Sequence, residues 1–282
     1  MSLPRVQLFE FNDRDWVPAT LRDTIVETLS RSLDWGGFLR PLVPVLDRFL
    51  SDAGTNDVLD LCAGAGGPAA ILTREAERLG FTPPQFLLTD LFPRVPLWTR
   101  AKEQHPTNID FIADSVDATR IPPSLSQGRA RVIINAFHHF PPVLARAILR
   151  DAVDNRAPIF ISESFERDPR GAFPLIPVGI PSLLATPLFS PRDRLVKAAW
   201  TWLTPIGLVA GAWDAIISTL RVYSEQDLRE LVPPFGHDYR WTYGTYAYPW
   251  GGRGCYFQGI PRTCEQSAAR VASRSERRTG GS

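Results

Sequence analysis

The sequence predicts an α/β fold built on a mainly parallel sheet. Two observations predict it. Five short apolar runs between residues 56 and 163 alternate with helical segments, and the first run ends in a glycine-rich turn that opens a helix. A third observation, an uncharged insert after residue 166, interrupts the alternation before it resumes near the end. Composition agrees: of 282 residues, 44% are hydrophobic and 22% charged, an ordinary globular balance with enough apolar mass for a full core. The 31 Lys+Arg against 30 Asp+Glu leave a net charge of +1, which argues against a dedicated nucleic-acid binder.

The elements follow in order. Residues 1–52 read as a helical cap, with Leu21, Ile25, Val26, Leu29 and Leu33 at helical spacing. Residues 53–165 read as the ligand-binding core, with strands at 56–61, 85–90, 108–113, 131–135 and 158–163 and helices at 68–79, 93–102 and 142–153. Residues 166–223 form the apolar insert. Within it, 172–190 holds no charge over 19 residues but carries Pro174, Pro177, Pro181 and Pro187, and 198–213 is a second uncharged stretch of 16 residues. Residues 224–261 return to the core, with a short helix N-capped by Ser224 and two strands, 240–246 and 254–259, joined by Pro-Trp-Gly-Gly as an antiparallel hairpin. Residues 262–282 read as a disordered basic tail.

Two general features bear on location. Cys62, Cys255 and Cys264 are odd in number and widely spaced, so they form neither a disulfide framework nor a zinc pattern, and a reducing compartment is expected. Residues 1–13 carry Glu10 and Asp13 and lack a signal-peptide apolar run. The expectation is a cytoplasmic protein, with membrane association as a further option.

The most informative segment is Val58-Leu-Asp-Leu-Cys-Ala-Gly-Ala-Gly-Gly-Pro68. Glycines at such a turn let the backbone approach a ligand, and the helix behind presents free N–H groups. Gly64-x-Gly66-x-x-Ala69 also matches the dinucleotide fingerprint, and tight strand–helix packing alone would account for the glycines. The flanking acids narrow the choice. Asp90 closes the second strand, where a carboxylate can accept ribose hydroxyls. Asp117-Ala118 follows the third, where an acid can accept the amine of adenine; a solvated loop acid is the plainer account. Asp60 suits a cationic amino-acid group and would repel a pyrophosphate.

This combination resembles the class I S-adenosylmethionine-dependent methyltransferases, over about half the chain (residues 57–163 and the terminal hairpin). Asp60, Gly64 and Gly66 match the family's first motif, with Cys62 where its first glycine stands. Asp90 matches the second motif, Asp117-Ala118 the third, and Asn135-Ala-Phe-His-His-Phe140 the fourth, with Arg131 where an acid is common. The resemblance implies a Rossmann-like, doubly wound sheet of seven strands with an antiparallel last strand. It implies S-adenosyl-L-methionine as cofactor, held by Asp60, Cys62, Ala63, Gly64, Gly66, Asp90, Leu91, Asp117, Ala118 and Asn135.

Methyl transfer from a sulfonium is an in-line displacement that chiefly needs alignment and exclusion of water. A small apolar organic molecule is the expected acceptor. His138 and His139 are the candidate general bases beside the fourth motif, and Glu163 at the end of the fifth strand is a third candidate. Each has a plainer account as a packing or capping residue. No metal is expected, since the adjacent histidines lack the i, i+4 spacing of a helical zinc pair.

Two other functions stay open: a nicotinamide-dependent oxidoreductase, for which no Tyr-x-x-x-Lys pair is present, and a catalytically silent cofactor-binding protein on the same fold. For residues 172–213 the first expectation is a lid over the acceptor and the second is peripheral membrane contact, with Trp200, Trp202 and Trp213 lining either. Asp214 and Arg221, two helical turns apart, would face one neighbour.

Overall fold

The computed structural model describes residues 4–262 except 169, 171, 172, 174, 191 and 236. The tail beyond residue 262, with Cys264, lies outside the described residues. The helices are α1 (Ala19–Trp35), α2 (Val43–Ala53), α3 (Gly67–Leu79), α4 (Val95–Gln104), α5 (Pro123–Ser126), α6 (Pro142–Asp154), α7 (Ile176–Phe189), α8 (Arg194–Ala198), α9 (Ile206–Arg221) and α10 (Glu225–Leu231). The strands are β1 (Asp57–Asp60), β2 (Gln85–Leu88), β3 (Ile109–Phe111), β4 (Ala130–Ile134), β5 (Ile159–Glu163), β6 (Tyr239–Tyr248) and β7 (Gly252–Pro261). The chain divides into a sheet unit, residues 42–162, 225–244 and 256–262, and a helical unit, residues 4–41, 163–224 and 245–255. The helix α2 counts with the sheet unit.

The seven strands form one sheet in the order β3-β2-β1-β4-β5-β7-β6. Strands β1 to β5 pair in parallel. Every residue of β4 and β5 is buried, as a central parallel strand covered on both faces requires. The order reverses beside β1, between β2 and β4, and the carboxyl ends of β1 and β4 flank the crevice where ligands bind open α/β sheets. The last strand, β7, is antiparallel and lies between β5 and β6.

The hairpin strands run longer than the sequence reading of 240–246 and 254–259. Glycines did not shorten them, because each lies under a ring of the facing strand. A Cβ at Gly244, Gly252, Gly254 or Gly259 would come within 2.0–2.3 Å of Tyr256, Tyr248, Tyr246 or Trp241 respectively. All four pairs fall on a single antiparallel register. The rings of Trp241 and Phe257 stack at 5.2 Å.

Arg131 stands fully buried in β4. Its Nη1 donates to Asp151 Oδ2 on α6 at 2.6 Å, and its Nη2 donates to Ser126 Oγ on α5 at 2.9 Å. Burial lowers the guanidinium's pKa, and Asp151 opposes that shift.

In the helical unit, α1 packs on α7, α8 and α9. Its core joins Val17, Leu21, Ile25 and Ala210, with Phe11 and Trp200 packed against them. The expected stripe on α1 holds at Leu21, Ile25 and Leu33 but fails at Leu29, which is exposed. Thr24 and Ser32 are inside instead, their hydroxyls donating to the carbonyls of Thr20 and Thr28 at 2.7 and 2.8 Å.

The prolines of the insert do not break α7. Pro177 sits in the first turn, where no intrahelical donor is needed, and the helix runs on through Pro181 and Pro187. After α8 the chain makes a π-helical turn, Ala199–Leu203. Asp214 and Arg221 do face one neighbour, the segment 10–13. Asp214 accepts the N–H groups of Phe11 and Asn12 at 2.7 and 3.1 Å, and Arg221 pairs with Glu10 and Asp13, each at 2.8 Å. No single helix among the described residues is long and apolar enough to cross a membrane.

Candidate functional site

The site is built from the ends of β1, β2, β3 and β4. Strand β1 ends at Asp60, which is 2% exposed. Its backbone carbonyl accepts two bonds from Thr89, from N–H at 2.8 Å and from the hydroxyl at 2.7 Å. Its carboxylate accepts the N–H of Cys62, while Oδ1 is buried without a partner among the described residues. Burial pushes this carboxyl up to about 7. The Cys62 N–H works against that rise, and the nearby charge of Asp90 adds to it. A buried acid with one oxygen left over is poised for a cation.

The glycine turn follows. Gly64 has φ +52° and open space where a Cβ would stand, whereas Gly66 has φ +77° and would set a Cβ 3.2 Å from Leu88 and Trp98. The two glycines therefore serve different ends: Gly64 leaves room, and Gly66 closes packing. The sequence reading assigned Gly66 to ligand approach; its Cβ direction points into the protein instead. Gly66→Val is expected to cost about 2–3 kcal/mol through left-handed strain and overpacking, read as a lowered urea midpoint. Cys62 is absent from the described residues with positive φ, so its position needs no glycine, and that departure from the family motif costs no backbone strain.

Asp90, half-buried at the end of β2, braces the turn. Its Oδ2 accepts the N–H of Gly64 at 2.9 Å and its Oδ1 accepts the N–H of Phe92 at 2.9 Å. Each oxygen keeps lone-pair capacity for a hydroxyl. Leu91 and Phe92 beyond it are exposed. The loop after β3 is tied to this edge, with Val116 N–H donating to Asp90 O at 2.9 Å and Ser115 Oγ to Leu91 O at 2.7 Å. Asp117 is exposed, and its Oδ1 accepts both the N–H and the hydroxyl of Thr119 at 2.8 Å, a local turn bond. Ala63 and Ala118 are buried.

Two residues that hold the site carried no sequence signal. Trp98 of α4, fully buried, donates its indole N–H to Gly64 O at 2.9 Å, and Thr89 clamps Asp60 from the neighbouring strand. Only the fold brings them to the turn.

At the end of β4, Asn135 takes φ +55°, one of three described non-glycine residues in that region, and donates its N–H to Ser162 O at 2.8 Å. It turns the chain into a short helical turn, Phe137–His139. His138 is buried and His139 keeps partial exposure, with their rings 4.2 Å apart. Glu163 ends β5 and belongs to the helical unit, where it is buried and its carbonyl accepts from Tyr246 Oη at 3.4 Å. Asp60, Gly64 and Asp90 are thus joined by direct bonds or charge, and the Asp117 loop by backbone bonds. Asn135, His138 and His139 stand at the end of the neighbouring strand β4.

No protein-family model matches the chain, and no curated protein matches it. Among solved structures it is similar to an O-methyltransferase assigned as such in Nostoc punctiforme, at 11% identity and a TM-score of 0.49, over 91% of this chain and 64% of that one. It is also similar to the O-methyltransferase NcsB1 of neocarzinostatin biosynthesis, at 14% identity and 0.48, over 86% and 58%. A third is the methyltransferase domain of bacterial CtHen1, at 10% identity and 0.46, over 79% and 98%. These likenesses are distant, and the weight rests on the sheet itself. Its seven strands, their order and the antiparallel β7 give the chain the Rossmann-like fold of the class I S-adenosylmethionine-dependent methyltransferases.

Proposed function

We propose that the chain binds S-adenosyl-L-methionine and transfers its methyl group to a small apolar organic acceptor. The observation that carries this reading is the Oδ1 of Asp60 at the foot of a glycine turn, buried and without a partner among the described residues. A carboxylate there gains from an ammonium group and gains nothing from a pyrophosphate, which favours an amino-acid-bearing nucleoside over a dinucleotide. The residues present fit such a group: Asp60 for the ammonium, Gly64 for close approach, Asp90 for ribose hydroxyls, and Leu91, Asp117 and Ala118 for the base.

When bound, the cofactor supplies an already activated methyl on a sulfonium. What remains for the chain is to hold, orient and exclude water. Asn135 and the turn after it would border the reacting groups at the end of β4. A general base is needed only for an acceptor that must lose a proton. In that case His139, which keeps partial exposure, is better placed to touch an acceptor than buried His138.

Titration calorimetry with S-adenosylhomocysteine tests the assignment. Asp90→Ala is expected to weaken binding by about 1–3 kcal/mol, the cost of hydroxyls left without a charged acceptor. Equal affinity in both proteins would overturn it. The same change is expected to lower stability by about 1–2 kcal/mol, because it also releases the N–H groups of Gly64 and Phe92.

A further inference from the structure

Beside its apolar core, the helical unit turns apolar stripes of α7 and α9 outward. Helix α7 carries no charged residue, and its exposed positions Ile176, Ile180, Leu184 and Leu188 recur every fourth residue as one apolar stripe. Helix α9 exposes Ile206, Val209, Trp213 and Ile216 in the same manner. The polar groups of these helices point inward. Thr186 bonds the guanidinium of Arg31 at 2.7 Å and the hydroxyl of Thr28 at 2.9 Å. Lys197, 2% exposed, pairs with Glu27 at 2.7 Å beside Ser190. Asp214, Ser218 and Arg221 are bonded to the segment 10–13. A water-facing helix pair shows the reverse arrangement.

A second observation concerns the exposed indoles. Trp202 is half-exposed, yet its N–H donates to Leu184 O at 3.0 Å; Trp213 is 37% exposed, and its N–H donates to Phe9 O at 2.9 Å. Water would satisfy those donors without help. Satisfying them within the protein matters where water is scarce, and so does back-bonding of Thr186, Thr201 and Thr204 hydroxyls to helix carbonyls.

We propose that this face seats in the surface layer of a lipid membrane, at the boundary of headgroups and acyl chains. Three features favour lipid over a second copy of the chain. The exposed stripes of α7 and α9 contain no charged residue. Between residues 175 and 221, exposed charges among the described residues are confined to Arg192, Asp193 and Arg194, a cluster of net positive sign at the α7–α8 link, suited to headgroup phosphates. Exposed Trp202 and Trp213 belong to the residue type that collects at that depth. Helices of 14 and 16 residues reach about 21 and 24 Å, short of the roughly 30 Å of a hydrocarbon core, and the longer apolar run 194–203 with 206–221 is bent by 81°, which suits a unit lying on the membrane rather than passing straight through it. The proposal is independent of the methyl-transfer reading.

Flotation of the full chain with phosphatidylcholine vesicles, with and without phosphatidylglycerol, tests it. The protein is expected to float with both, and more completely with the anionic lipid. The combined variant Leu188→Glu, Val209→Glu, Ile216→Glu is expected to lose vesicle partitioning at least tenfold while keeping its circular dichroism and melting transition, because all three side chains are exposed. A second set, Leu188→Ser with Val209→Ser, gives a smaller loss and keeps the test open if the charged set fails to fold. A full chain that stays at the bottom of both gradients overturns the proposal. So does a folded Glu variant that floats as well as the parent, or a dimer that the Glu variant dissociates without any vesicle binding.

Discussion

Asp60→Asn is expected to make the protein more stable and less able to bind. The native carboxyl titrates near 7 against 3.8 for its ordinary value. Between those limits the folded chain holds a proton that the unfolded chain releases, so stability falls as pH rises through this window and the full penalty stands above it. The amide removes that penalty. Parent and variant should therefore melt alike near pH 4 and diverge by on the order of 2–4 kcal/mol at pH 8, the variant being the more stable. Binding should move the other way. S-adenosylhomocysteine carries an ammonium that favours the ionised carboxyl, so parent affinity should rise from pH 6 to pH 8, with a proton released on binding in the acidic part of that range. Calorimetry in two buffers of different ionisation heat reads that proton. The amide variant should bind roughly a hundredfold more weakly at pH 8, about 2.7 kcal/mol, and show no proton release. Parent affinity that ignores pH would remove Asp60 from the ligand's contacts.

Asp151→Ala should cost about 3–5 kcal/mol, because it leaves the Arg131 guanidinium buried in the central sheet with only a hydroxyl for company. Removing both charges, as Arg131→Met with Asp151→Leu, should recover most of that loss, since an apolar pair of similar volume needs no desolvation offset. Urea denaturation of the three proteins gives the comparison. A single variant as stable as the parent would show that water or another acceptor reaches Arg131.

The sequence made the turn at Asp60, Gly64 and Gly66 legible because everything that shapes it lies within a few residues. The strand-end acids Asp90 and Asp117 were legible for a related reason: parallel strands place their carboxyl ends together, so strand order alone brings them to one edge. Trp98 and Thr89 were not legible, since their bonds to the turn follow from how α4 and β2 pack, and no spacing encodes that. The Arg131–Asp151 pair spans 20 residues without a pattern; from the sequence Arg131 was only a departure from a motif. The helical unit was misread at Leu29 because hydrophobicity was taken to mean inside. Where polar groups can pair among themselves, the apolar stripe and the buried face part company, and periodicity alone does not say which is which.

The four glycine–ring pairs of the β6–β7 hairpin act as a combination that only one alignment opens. A slip of two residues keeps each side chain on its own face of the sheet, so the hydrophobic pattern alone would tolerate it. In either direction such a slip leaves one of the four rings over a glycine, and the other three meet a residue with a Cβ. Misalignment is thus penalised sterically at three places at once, along a hairpin whose turn, Pro249–Gly251, is not one of the two-residue types that fix register by themselves. Since β7 is the strand inserted between β5 and β6, the chain settles the alignment of its last two strands against each other within the hairpin itself.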